Sequence, residues 1–317
     1  MLALLIAATF MVFALPFIPT AGLFLRRRDA LGPPPLSEAA YAPDHFARSL
    51  IAKLRAHLML VAQPVTAVAE YRVDGEPLLV LPASMRQAPA GCANKMSYSF
   101  GDLALPASLA CHKEVACEGS LRTGEDGIYR ALYAADTLHL NWNSTIIRWC
   151  HADADLEVEG NCRILGRASA NKTIKIDAPC EFASMTAPTI LLGHAQRGVR
   201  RTLPRGVADA DTVAREAVTL VPGTKRRGSI KARRLLEVGA GSVIEGALVC
   251  EGGIVIGPRC AIWGPIVAEG GIRIGEGCEI GRPEAPASVV GEDVEILAPA
   301  VIHGALHASR RGVVRYK

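Results

Sequence analysis

The feature that most constrains this chain is a repeat. Residues 244–261 read IEGALVCEGGIVIGPRCA and residues 262–279 read IWGPIVAEGGIRIGEGCE, identical at 10 of 18 positions. One step back, Ile230, Ala232, Leu236 and Val238 match Leu248, Cys250, Ile254 and Ile256. A finer period of six runs inside each unit, with apolar residues at its first and fifth positions. The same frame recurs at 128–145, 146–163 and 164–181. There Ile128, Ile146 and Ile164 are expected to stack, as are Leu138, Leu156 and Ile174, and Leu140, Val158 and Ile176. A looser unit around Val115, Cys117 and Leu121 starts the series. After Ile280 the pattern stretches around Pro283 and Pro286, then resumes at Val294, Ile296, Ile302 and Leu306.

A fixed period of this size marks a stacked architecture. Two inward side chains per hexad and three hexads per turn make a three-sided coil. One rung alone buries too little to offset ordering its own backbone, so rungs must stack and hydrogen-bond to their neighbours. The expected fold is therefore all-β, a β-helix (solenoid) of about eight 18-residue rungs in two stretches, 109–182 and 226–308. Ile174, Ile254, Ile256, Ile272 and Cys260 should point inward. Glu251 should point outward, and His303 should share an outward corner slot with Glu245 and Trp263. Arg226 falls in a normally inward slot, which makes the first rung of the second stretch irregular.

Met1 to Leu25 contains no charged residue. As a helix it would span about 37 Å, enough for a bilayer core. Arg26, Arg27 and Arg28 follow at once, and positive charge marks the cytoplasmic flank. No Lys or Arg precedes the apolar run, so a secretory signal lacks its usual basic start. The expectation is a single transmembrane helix over 1–25 in the cell inner membrane, with the β-helix on the cytoplasmic side; a cleaved export signal is the alternative. Residues 26–45 read as a basic, proline-containing linker. Phe46, Leu50, Ile51, Leu54, Leu58 and Leu60 have helical spacing, and 46–108 reads as a short amphipathic helix plus an N-terminal cap. Residues 183–225 read as a basic insertion carrying Arg197, Arg200, Arg201 and Arg205, either a surface excursion or a contact for anionic lipid. Residues 309–317 form a C-terminal tail that can add a strand through Val313 and Val314.

Composition narrows the chemistry. Nine scattered cysteines without a CxxC pair do not make a disulfide framework and read as buried, reduced thiols. Cys162 with Cys180, and Cys260 with Cys278, recur one rung apart, yet fill the inward slot that Leu or Ile fills elsewhere; packing explains them without a metal. A net charge of +4 gives no ground for nucleic acid. Ile274-Gly275-Glu276-Gly277 is a corner rather than a phosphate loop, because no helix follows it. Hexad repeats also occur in acyltransferases that use a histidine base, and His139, His151, His303 and His307 are the candidates here. None has an acidic partner at a persuasive sequence spacing. No catalytic, cofactor-binding or metal residue is assigned.

Three stretches of text carry a resemblance: Ile262-Trp263-Gly264-Pro265-Ile266-Val267-Ala268-Glu269, Ile274-Gly275-Glu276-Gly277-Cys278, and Val301-Ile302-His303-Gly304-Ala305-Leu306. Through them the units at 128–182 and 228–308 resemble the bactofilins, bacterial polymer-forming cytoskeletal proteins. The resemblance implies a right-handed β-helix that assembles end to end without a nucleotide, in some members tethered to the inner membrane by an N-terminal hydrophobic segment. This chain departs from the compact form of that family in having two repeat stretches and an insertion.

The expected function is a non-enzymatic, self-assembling cytoskeletal scaffold on the inner face of the membrane; the alternative is a hexapeptide-repeat acyltransferase. Its partners would be further copies of itself as dimer or polymer, the membrane, and client proteins that the sequence does not name. An open solenoid end is a template for another chain. With too few residues after the last hexad to cap it, the C-terminal end around Ile302 and Leu306 is the expected self-association surface.

Overall fold

In a computed structural model the described residues are 42–61, 65–195, 203 and 210–317. The predicted membrane helix, Arg26–Arg28, and the insertion arginines Arg197, Arg200, Arg201 and Arg205 lie outside them. Among the described residues no helix is long and apolar enough to cross a membrane.

Apart from the helix His45–Val61 and a 3-10 turn at Ala90–Ala93, the described chain is strand and turn, with 27 strands in one continuous sheet. The strands wind into a solenoid of about 12 turns, more than the eight expected. Within each half, successive rungs pair in parallel. Leu138, Leu156 and Ile174 stack as the repeat requires, and so do Leu140, Val158 and Ile176. Leu236, Ile254 and Ile272 form a matching column in the second half. Ile174, Ile254, Ile256, Ile272 and Cys260 are all buried, and Glu251 is exposed, as the hexad pattern places them.

The extra turns come from segments where polar residues fill inward slots or where the step departs from 18, as between Ile174 and Ile190. Leu79 and Leu81 stack on Ser97 and Ser99, which stack on Val115 and Cys117. The 18-residue step is kept, but two serines occupy inward positions and break the apolar signal. Both hydroxyls are satisfied by backbone carbonyls, of Lys95 and Gly101. Similarly Thr212 and Ala214 stack on Ile230 and Ala232, and Val218 and Leu220 on Leu236 and Val238. So 212–220 belongs to the coil rather than to an insertion, and so does the stretch up to Leu192. The corner Gly246–Gly264 shows why glycine recurs every 18 residues. A Cβ on Gly246 would meet the Gly228 carbonyl oxygen at 2.3 Å, and one on Gly264 would meet that of Gly246 at the same distance.

One column differs from expectation. Tyr129, not Ile128, lies over Ile146, because the step is 17 residues there. Tyr129 is buried with its hydroxyl accepting from the Gly124 backbone N–H, and Ile128 is left outside.

The two halves meet end to end. Strand Cys180–Leu192 closes the first half, and strand Ala300–Arg315 closes the second and includes the predicted tail. They pair antiparallel, with Cys180 opposite Val314, Met185 opposite Leu306, Ile190 opposite Ile302 and Leu192 opposite Ala300. A single apolar core passes through this joint. Ile302 and Leu306 are therefore fully buried inside one chain, and the edge expected to bind a second copy is already covered.

Candidate functional site

Two regions of the solenoid carry more than packing: the joint and the side face under the helix. At the joint, His303 is buried rather than at an outward corner. Its Nδ1 lies 3.2 Å from Thr189 Oγ1 and 3.3 Å from the Pro188 carbonyl oxygen, and its Nε2 is 3.9 Å from Glu279 Oε1. Thr189 and Pro188 belong to the other half, so this ring is a polar fastener across the joint. At the rim Arg311 pairs with Glu181 across the same boundary, and the Tyr316 hydroxyl donates to Asp177 at 2.6 Å.

The side face is built by the helix. Ala47, Ile51 and Leu54 at helical spacing are buried against Val80, Tyr98, Ala116 and Tyr133, outward residues of successive rungs. Arg55 clamps Glu118 through Nε and Nη2 at 2.8 and 2.6 Å, and the Tyr98 hydroxyl also bonds that carboxylate. This holds Glu118 below the usual carboxylate range, chiefly through its hydrogen bond from Arg55. At the far end of the helix the Arg167 guanidinium lies over Phe46.

Beneath that helix lies an arrangement that sequence spacing does not single out. His151 Nδ1 is 2.7 Å from Ser169 Oγ, and His151 Nε2 is 3.0 Å from Asp153 Oδ1. Asp153 also accepts from the Tyr133 hydroxyl at 2.5 Å and from Asn171 Nδ2 at 3.3 Å. Ser169 stands one rung from His151, so the 18-residue period is the signal that pairs them. Hydroxyl, imidazole and carboxylate in a row are the components of nucleophilic catalysis. Here, however, His151 is 1% and Ser169 4% exposed, so a substrate would have to displace the helix.

Burial is the largest influence on His151 and pushes its pKa below the ordinary 6.5; Asp153 opposes the shift. The unfolded chain then binds a proton near pH 6 that the folded chain resists. The contribution of this site to stability should be complete above about pH 6.5 and decline as pH falls toward the depressed folded value. We expect thermal unfolding of His151→Asn to show a flatter acid limb than the wild type between about pH 7 and 5. Parallel limbs would mean that His151 takes up its proton equally in the folded and the unfolded chain.

The remaining histidines are separate. His139 Nδ1 is 3.0 Å from Glu157 Oε2, in an open groove of about 320 Å3 that also holds Lys175 and His194. His307 is exposed at the joint. The cysteines are all buried, and several thiols donate to backbone: Cys162 to Asn141 at 3.2 Å, Cys260 to Gly239 at 3.3 Å and Cys278 to Gly257 at 3.2 Å. Burial raises the Cys162 thiol to about 11, so it stays protonated, as a packing residue does. Among the described residues no cluster of three or more metal-ligating side chains occurs. Comparison with family models, with curated proteins and with solved structures finds no match to this chain.

Proposed function

We propose that this chain is a non-enzymatic, self-assembling scaffold attached to the inner face of the cell membrane. The observation that carries the proposal is the joint. Two solenoid ends of this sequence fit each other by antiparallel edge pairing with a continuous core. Rungs that join so within one chain have the shape and polarity to join between chains.

With Ile302 and Leu306 used internally, association falls to the outer ends, and these differ. The start of the first half is covered by the hairpin strand Ala69–Val73 and by Cys92 in the 3-10 turn, with Met85 and Ala88 packed on the core. The start of the second half is barer. Among the described residues, strands Thr212–Ala214, Val218–Leu220 and Lys225–Arg227 each pair on one side only. Val218 and Leu220 are half-buried there. The Arg226 side chain folds over part of the end, donating to the Ala210 carbonyl and to Thr212 Oγ1. One open end closes into a two-fold dimer, whereas two open ends would give filaments. The full chain in detergent should therefore sediment as a dimer at tens of micromolar, and Leu220→Lys should shift it to monomer. A wild-type monomer at that concentration would remove the basis of the scaffold reading.

A hexapeptide-repeat acyltransferase is the second reading, favoured only by the Ser169–His151–Asp153 row. Labelling of Ser169 by a fluorophosphonate, lost in His151→Asn, would move the weight to it; no labelling is expected from a scaffold.

A further inference from the structure

The bulged corner that precedes the helix-covered face sets exposed apolar residues among exposed arginines. On other faces outward charges pair from rung to rung at several places, as Arg227 with Glu245, Arg233 with Glu251 and Arg273 with Glu295. At this corner the chain instead places Ile147 and Leu165 outward, 46% and 55% exposed. The register stacks them one rung apart, since Ile164 lies over Ile146 and Arg167 over Trp149. Arg148 and Arg163 flank them, both exposed. Among the described residues neither has a carboxylate within ion-pair range. On the other side of the pair, Arg167 carries Phe46, itself 46% exposed, against its guanidinium.

The composition of this patch is a specific one. Large apolar side chains stand outward among cations, and among the described residues Arg148 and Arg163 have no carboxylate to neutralise them. Apolar residues ringed by arginine suit the boundary of an anionic bilayer, where the side chains enter the acyl boundary and the cations meet phosphate. The patch also lies where the described chain begins. Phe46 is the second residue of the helix, and the sequence before it leads back through a linker to Arg26–Arg28 and the apolar run 1–25.

We propose that this corner, formed by Phe46, Ile147, Arg148, Arg163, Leu165 and Arg167, rests on anionic phospholipid and fixes how the solenoid stands on the membrane. The inference rests on the membrane attachment proposed above. It adds an orientation, with one corner down and the charge-laddered faces free.

A nitroxide probe tests it on the full chain. The native cysteines are all buried, so an added surface cysteine labels selectively. Leu165→Cys reports the corner, and Val255→Cys, outward on the other half, is the control. Vesicles of phosphatidylcholine with and without phosphatidylglycerol are floated, and label accessibility to oxygen and to a water-soluble nickel chelate is measured. The expected result is a Leu165→Cys label that favours oxygen only with phosphatidylglycerol, while the Val255→Cys label stays aqueous. In the double variant Arg148→Gln, Arg163→Gln the preference should drop by roughly fivefold for each cation removed, with flotation unchanged. An aqueous label on a chain that floats would overturn the corner and leave attachment standing. A chain that does not float would overturn attachment itself. Shielding from both quenchers without lipid would show a second copy seated on the corner, which also overturns the proposal.

Discussion

Ile254→Asp is expected to unfold the second half of the solenoid, while Val255→Asp next to it is expected to leave it folded. Ile254 is fully buried between Leu236 and Ile272 in one column of the core. A carboxylate there would meet only hydrocarbon, at a cost of roughly 4–5 kcal/mol, a large share of a typical domain's total stability. Stacked rungs hold mainly through their neighbours, so the defect should spread along the half rather than stay local. Val255 points outward and would exchange an exposed methyl pair for a solvated charge, an effect on the order of 0.5 kcal/mol. Glu251→Lys is a second outward control with a small penalty of its own. It would replace the partner of Arg233, 3.1 Å away, by a like charge, at a cost on the order of 0.5 kcal/mol for so exposed a pair. Urea midpoints by circular dichroism give the comparison. Equal losses for Ile254→Asp and Val255→Asp would mean that the register is wrong by one residue, since a single slip exchanges inward and outward positions.

The legible parts of the fold are those where an inward slot is held by Ile, Leu, Val or Cys. The step is 18 residues over much of the chain but falls to 16 between Ile174 and Ile190 and rises to 22 between Ile272 and Val294, and where it holds at 18 its visibility is what varies. Ser97, Ser99 and Thr212 hold the same slots as their apolar neighbours one rung away, so hydrophobicity does not reveal their rungs. The short step before Tyr129 hides the true partner of Ile146, because a tyrosine whose hydroxyl reaches backbone serves the interior as well as an isoleucine does. Analogy with Glu245 and Trp263 places His303 outward. Trp263 itself is largely covered, by Leu203 and by the Arg282 guanidinium 3.4 Å from its ring centre, so that corner slot is not a solvent slot in this chain. The Ser169–His151–Asp153 row is accessible in principle from the 18-residue step. The joint is not. Cys180–Leu192 and Ala300–Arg315 share no periodic relation, and antiparallel contact between distant segments leaves no trace in spacing.

The joint reverses the sign of one expectation, and Leu306→Lys exposes the difference. If Leu306 were a free edge, the lysine would weaken self-association and leave the fold unchanged. In the structure Leu306 is fully buried, opposite Met185 across the joint and beside Val289 in its own half. An ammonium there has no acceptor to replace water, and its burial should cost roughly 3–5 kcal/mol. The molecule can avoid that cost by opening the joint. Doing so uncovers two complementary edges, each with unpaired N–H and C=O groups and the cut face of a core. Those edges fit each other whether they belong to one chain or two, which is the condition for exchange between protomers. Leu306→Lys should therefore associate more than the wild type. Amides of 184–192 and 300–307 should lose hydrogen-exchange protection, while the inner rungs around the column Leu138, Leu156 and Ile174 keep theirs. Arg311→Gln is the control at the rim. It breaks the exposed pair with Glu181 and should cost less than about 1 kcal/mol without changing the oligomer. Sedimentation of the three proteins at equal concentration decides the matter. A Leu306→Lys chain that stays no larger than the wild type, with 184–192 still protected, would show that the two halves are held together by something other than this pairing.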